Sequence, residues 1–140
     1  MIRLGSLAGH SFEGPRILAG WTPPVGPGVF AILVRPDAER HPERYAVVYA
    51  GASTDLSGLD LRHPAAPCWI RRAGTKWAVH VAVHDPPGAT DRYRHELVRE
   101  LLSVYHPGCN HERYVPAWKQ EWIGTYSAPT TDPLTTKRDP

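Results

Sequence analysis

A basic, aromatic stretch in the middle of the chain is the first place where residue types point to chemistry. Its cations lie between positions 62 and 76 with no acidic residue among them: Arg62, Arg71, Arg72 and Lys76. Trp69 and Trp77 lie within or beside the same stretch. Cations attract phosphates and indole rings stack on bases, so the pattern is typical of a nucleic-acid-binding surface. A solvated loop next to a core strand has the same composition and is the alternative interpretation.

Tyr49 is the second candidate for a functional side chain. It ends an apolar run and precedes Gly51, and a glycine lets a ligand approach the backbone closely. Tyr45 lies four residues earlier, so strand alternation predicts both rings on one face. Tyr49 is the better candidate because it is the one beside the glycine.

The spacing of the histidines argues against a metal site. His80 and His84 share one face of a predicted strand, yet at about 3.3 Å per residue they lie about 13 Å apart, too far to bind one ion. His106, Cys109 and His111 have the types of a Cys–His nucleophile or a zinc site. A turn packed by a small buried cysteine is the preferred interpretation, and we therefore predict no metal ligands.

Composition limits the classes of protein that the chain can belong to. It has 140 residues, a net charge of +2 and 41% hydrophobic residues, which indicates one folded domain and excludes a disordered chain. No apolar run approaches the ~18 residues that a membrane span needs, and the N-terminus lacks a secretory pattern, so we expect a cytoplasmic protein. Cys68 and Cys109 are not in a C-x-x-C pair and predict no disulfide framework.

Three strands are predicted from apolar patterning. Residues 29–34 and 45–50 are continuous apolar, β-branched-rich runs, and they should pair as an antiparallel hairpin with a long loop. Residues 77–84 alternate between apolar and small or histidine side chains, as in a half-buried strand. Residues 1–27 contain several prolines and glycines and little periodicity, which predicts an irregular lead-in.

The predicted helices follow the second and third strands. Ser53 or Thr54 is a candidate cap for a short helix that reaches Leu61. Thr90 or Asp91 caps the best helix, whose apolar residues recur at helical spacing as far as Tyr105. A last short helix is expected from Pro116, with Trp118 and Trp122 on one face.

This order predicts a small α+β domain, a three-stranded antiparallel sheet flanked by helices. The domain is expected to span residues 1–126, with its core at about 27–111, and residues 127–140 are expected to form a disordered tail because they lack an apolar pattern.

Four short segments, in order, resemble the GIY-YIG endonuclease family. Gly28-Val29-Phe30 and Tyr49-Ala50-Gly51 resemble the two halves of its signature, and Ala52-Ser53-Thr54-Asp55-Leu56 resembles the stretch that follows. The segment from Leu101 to Asn110 resembles the closing motif of the family. The similarity covers roughly residues 27–111 and implies the same α+β element order. It also implies that Gly28, Gly51 and Asn110 are structural.

The resemblance implies hydrolysis of a phosphodiester that depends on a divalent metal. One tyrosine activates or positions the nucleophile, an arginine stabilises charge on the phosphate, and a glutamate holds Mg²⁺ or Mn²⁺, which prefer carboxylate oxygens. This chain keeps Tyr49, His63 and Asn110 at matching positions. The family's first tyrosine, arginine and glutamate positions are occupied by Phe30, Leu59 and Val98.

Neighbouring residues are candidate substitutes for the missing groups. Arg62 is three residues from Leu59 and lies on nearly the same face of a regular helix. Glu96 and Glu100 are each two residues from Val98, which is about 200° around a helix and so on the opposite face. The candidate catalytic set is Tyr49, Arg62, His63 and Glu100.

Three functions follow from this pattern. The first is a GIY-YIG-like domain with a degenerate nuclease site that binds DNA or another phosphate-bearing ligand through Arg71, Arg72 and Lys76. The second is an active endonuclease with relocated ligands, using Tyr49, Arg62 and either Glu100 or Glu96 with Mg²⁺ or Mn²⁺. The third is a protein-interaction module that keeps only the fold.

Overall fold

The residues from Gly28 to Val34 are all buried, and this apolar run forms a strand in the middle of an antiparallel sheet. The computed structural model describes residues 1–110 and the backbone of residues 122–125. The strands of this part of the chain are β1 (Ile2–Leu4), β2 (His10–Ile17), β3 (Gly28–Val34), β4 (Arg44–Ser53), β5 (His80–His84) and β6 (Trp122–Thr125). Its α-helices are α1 (Ala66–Ala73) and α2 (Asp91–Tyr105).

The sheet has the strand order β1-β2-β5-β3-β4-β6, so the prediction of a three-stranded sheet was wrong. The β3–β4 hairpin was predicted correctly and pairs from Gly28 opposite Ser53 to Val34 opposite Ala46. β5 pairs with β3 on its other side, which completes the three strands expected from the sequence. The additional strands extend both edges of this central group.

β1 and β2 come from the segment expected to be an irregular lead-in. Three glycines with positive φ angles hid the pattern: Gly5 and Gly9 lie in the short connection between β1 and β2, and Gly14 interrupts the alternation within β2. Gly14 lies within a register shift of the β2–β5 pairing, where an added Cβ would come within 2.7 Å of the Val81 carbonyl oxygen. Turn residues within the strand therefore concealed it from sequence reading.

The C-terminal prediction is wrong where it can be compared. Residues 122–125 pair with β4 as β6, so Trp122 begins a strand and does not lie on a helix. Residues 116–121 of the predicted helix and the predicted tail at 127–140 lie outside the described residues.

The helices also differ from expectation in part. α2 begins as predicted, with the Thr90 side chain accepting a hydrogen bond from the Tyr93 N–H. The expected helix over 53–61 is a short 3₁₀ turn at Leu56–Gly58, capped by Asp55, and the helix α1 follows only after Pro64. Residues 76–78 form another 3₁₀ turn, so β5 begins at His80 and is shorter than the predicted strand.

The two faces of the sheet carry separate cores. Val29, Ala31 and Leu33 of β3 point to the first face, where α2 packs through Leu97 and Leu101. The alternate β3 residues Phe30, Ile32 and Val34 point to the second face, where α1 buries Trp69 completely. Among the described residues, no helix is both long and apolar enough to span a bilayer.

A disulfide joins Cys68 of α1 to Cys109, in the Gly108–Asn110 turn that follows α2, with Cα atoms 5.8 Å apart. The absence of a disulfide was a wrong prediction. The pairing joins residues 41 positions apart, which only the folded chain brings together.

Candidate functional site

A bulge in β4 decides where the Tyr49 ring points. Ile32 pairs with Tyr49 but Leu33 pairs with Val47, so Val48 is an extra residue in β4. The bulge puts Tyr49 on the second face with Phe30, while Tyr45 points to the first face. The prediction that both tyrosines share a face was wrong because alternation fails at a bulge.

Tyr49 lies in a cluster of four aromatic rings on the second face, formed with Phe30, His63 and Trp69. Its ring centroid is 5.8 Å from Phe30, 5.3 Å from His63 and 5.3 Å from Trp69. His63 stacks on Trp69 at 4.8 Å. The structure therefore brings together the positions 30, 49 and 63 that the resemblance singled out, and α1 supplies the indole that supports them.

The chemistry of this cluster is that of a neutral surface. Burial raises the pKa of the Tyr49 hydroxyl, so the phenol stays protonated and is a poor base at neutral pH. Burial lowers the pKa of His63, which favours the neutral ring. The Ala65 N–H donates to His63 Nδ1 at 3.0 Å, which places the proton of the neutral ring on Nε2. His63 thus presents an N–H donor.

Three small or polar residues hold the backbone around this cluster. A Cβ on Gly51 would lie 3.0 Å from the Phe30 ring and 3.1 Å from the Tyr49 ring. A Cβ on Gly28 would lie 2.6 Å from the Leu56 side chain. The Asn110 amide donates to the Ala50 carbonyl at 2.8 Å and accepts from the Ala50 N–H at 2.9 Å, as a paired strand would.

Arg62 and Leu59 do not provide a cation beside Tyr49. Leu59 is only 5% exposed and belongs to the second-face core. The Arg62 side chain is 90% exposed and donates to Asp60 at 2.7 and 3.0 Å. Because residues 59–62 form turns and no regular helix, the helical argument that put Arg62 on the face of Leu59 does not hold.

The candidate carboxylates belong to α2, on the first face, opposite Tyr49. Glu100 accepts from the Ser6 N–H at 3.0 Å and lies 3.2 Å from His10 Nε2. Val98 packs against the first-face core. Glu96 is exposed and pairs with Arg92 at 3.2 Å. The sheet therefore separates every carboxylate of the predicted set from Tyr49.

The residues around Tyr49 do not fit a divalent metal. Mg²⁺ and Mn²⁺ require several oxygen ligands, whereas the described side chains that contact Tyr49 are aromatic rings. Within residues 1–110, no group of three or more His, Cys, Asp or Glu side chains is arranged to hold an ion.

The predicted nucleic-acid-binding residues are carried by α1 and the turn after it. Arg71 and Lys76 are exposed, and Arg72 is half-buried. The Lys76 ammonium lies 5.4 Å from the centroid of the Trp77 ring, which is 58% exposed. Trp77 is therefore a surface residue, not a core residue of a strand.

The histidines that were considered as metal ligands have surroundings that the fold explains. His80 is buried against Tyr45, and its Nδ1–H donates to the Ala78 carbonyl at 3.0 Å. His84 lies 2.8 Å from the Ser11 carbonyl and 2.9 Å from the Tyr93 hydroxyl. His106 is exposed and ends α2 in a left-handed conformation. His111 lies outside the described residues.

Sequence reasoning missed a groove on the second face. It has a volume of about 850 Å³ and lies between Trp21 and Trp77, with Arg16 and Ile17 of β2 and Val81 of β5 along it. β2 was not expected as a strand, so nothing placed these side chains together. The available signal was Trp21, close to the Pro23-Pro24 pair, because a tryptophan in an irregular segment has no core residues of that segment to pack against.

No protein-family model, curated protein or solved structure matches the chain. The relationship to the GIY-YIG family stays a prediction that rests on the quoted residues.

Proposed function

We propose that this chain binds nucleic acid through its phosphates and that its site, where the resemblance implies a nuclease, is degenerate. The observation that carries the proposal is the pair of exposed cations, Arg71 on α1 and Lys76 in the turn after it, in a stretch of chain without acidic residues. The helix that carries Arg71 also supplies Trp69 to the neutral aromatic cluster around Tyr49. The carboxylates that a hydrolytic metal centre would need lie on the first face, in contacts with α2 and β1–β2 groups.

Three side chains, Arg71, Lys76 and His63, suit a phosphate-bearing ligand. Arg71 and Lys76 are exposed cations in a stretch, residues 61–84, that contains no aspartate or glutamate. His63 offers a neutral N–H donor. Hydrogen bonds from cations and N–H groups to phosphate oxygens position a nucleic acid without reading its sequence.

Salt-dependent binding of a labelled duplex tests this proposal. Affinity should fall steeply with salt concentration, and Arg71→Ala and Lys76→Ala should each lower the log–log slope by about 0.9. Arg92→Ala is the control because Arg92 is an exposed cation on α2. Absence of binding at low salt would favour the protein-interaction alternative.

Plasmid nicking tests the active-endonuclease alternative. With Mg²⁺ or Mn²⁺, nicking should not exceed background, because the aromatic cluster supplies no carboxylate. Saturable metal binding and nicking that both disappear in Glu100→Ala would establish the enzyme and refute the degenerate site.

A cytoplasmic location remains a prediction, and the disulfide counts against it. Disulfides persist in oxidising compartments and are rare where thiols are kept reduced. Mass spectrometry of the alkylated native protein would show whether Cys68 and Cys109 are paired in cells.

A further inference from the structure

The groove on the second face lies where no helix of the described residues covers the sheet. α1 packs over β3 and β4, which leaves the β2–β5 part of this face open. Val81 and Val83 of β5 lie along the groove, and Trp21 and Trp77 contribute indole surface. Its volume of about 850 Å³ is within the ~300–1,000 Å³ of small-molecule sites.

The charge around the groove favours an anionic occupant. The charged residues that line it are Glu13 and Arg16, which pair at 3.5 Å and cancel. Lys76, next to the Trp77 ring, leaves a net positive charge at this end of the groove. An uncharged proline-rich peptide would use the indoles but not this cation.

Trp77 exposes much of its large aromatic side chain to solvent. A side chain of this size is 58% accessible, next to Ile17, which is 44% accessible. Trp77 therefore offers a flat apolar surface beside the Lys76 ammonium. Aromatic rings in a basic groove stack on bases of single-stranded nucleic acid, which are not covered by a complementary strand.

We propose that this groove binds single-stranded nucleic acid, with a base stacked on Trp77 and the adjoining phosphate near Lys76. This inference rests on the proposed function and extends it, since the duplex contacts of Arg71 and Lys76 do not require the groove. Trp21 is expected to provide a second stacking or packing surface.

Fluorescence anisotropy of labelled oligo(dT), about 12 nucleotides long, tests the groove on the full chain. Trp77→Ala should weaken binding at least about 5-fold, and Trp77→Phe should keep most of the affinity because it keeps a flat ring. An abasic oligomer of the same charge should bind the wild-type protein as weakly as oligo(dT) binds Trp77→Ala. Leu7→Ala is the control, because Leu7 is another exposed apolar side chain and lies in the β1–β2 turn.

The outcomes separate the groove from the proposed function. Weaker oligo(dT) binding in Trp77→Ala at an unchanged salt slope supports base stacking. Oligo(dT) binding that ignores Trp77→Ala, while Arg71→Ala still weakens duplex binding, overturns the groove and leaves the proposed function standing. Trp77-dependent binding of a proline-rich peptide, with no nucleic-acid binding, overturns both. Circular dichroism of each variant verifies folding.

Discussion

The two faces of the sheet are covered by helices of different length. On the first face the fifteen-residue helix α2 covers the strands, and its one buried charge, Arg94, is paired. Arg94, only 10% exposed, bonds to Asp85 at 3.0 Å, to Asp91 at 2.7 Å and to the Ala89 carbonyl at 3.0 Å. On the second face the eight-residue α1 covers only part of the sheet and leaves indole surface and cations accessible.

The comparison indicates where function is to be sought. Buried charges are tolerated when they are paired and hydrogen-bonded, so the first-face network is explained by folding alone. The exposed Trp77 and its neighbouring Lys76 have no such explanation. A long helix closes its face, whereas a short helix held by a disulfide leaves room for a ligand.

The largest expected effect is that of a charge introduced into the second-face core. Leu59→Arg should reduce the free energy of unfolding by more than about 4 kcal/mol, because it removes buried apolar surface and leaves an unpaired charge. Val98→Glu, at a half-buried position on α2, should cost about 1–2 kcal/mol. Urea denaturation measures both changes.

The double variant sharpens the comparison of the faces. If Leu59 and Val98 lie on opposite faces, their effects should be additive, and Mg²⁺ should neither stabilise the double variant nor support plasmid nicking. Stabilisation by Mg²⁺ together with nicking would show that the two positions share one cleft, as the resemblance implies.

Removal of the disulfide should have the next largest effect. Cys68→Ser should lower the free energy of unfolding by about 3–4 kcal/mol, since the bond closes a loop between residues 41 positions apart in the unfolded chain. The second face should loosen first, because the bond joins α1 to the turn that carries Asn110. Hydrogen exchange should show faster exchange in α1 than in α2.

A reductant provides the matched control for this prediction. Wild-type protein in reductant should resemble Cys68→Ser, and the variant itself should be unaffected. Equal stability of wild type with and without reductant would show that the bond contributes nothing.

The sequence predicted the elements whose patterns are local and continuous along the chain. The apolar run of β3 and the helical periodicity of α2 are local and strong, and both elements were placed correctly. β1 and β2 were hidden by glycines at positive φ, and α1 by its shortness and by Pro64 and Pro67 around its start. Because β1 and β2 were missed, one edge of the sheet and the groove beside it could not be predicted.

The site was predicted unevenly for a related reason. The resemblance singled out Phe30, Tyr49 and His63, which do contact one another. It could not reveal the β4 bulge that turns Tyr49 to the second face, nor that Glu100 is committed to Ser6 and His10. Bulges and long-range contacts leave no pattern in a single sequence.

The smallest expected effect compares the half-buried His63 of the second face with the buried His80 of the first face. Burial lowers the folded-state pKa of both His63 and His80 below their ordinary value of 6.5. On acidification the unfolded chain therefore binds the proton first, so the stabilisation is present above pH 6.5 and is lost as the pH falls through the folded-state pKa. His63→Gln and His80→Gln should each make the free energy of unfolding less dependent on pH in this window.

The more deeply buried His80 should give the larger change, as measured by urea denaturation between neutral and acidic pH. A steeper acid loss in His63→Gln than in wild type would mean that the folded protein favours the charged ring, which the stacked aromatic environment of the second face contradicts.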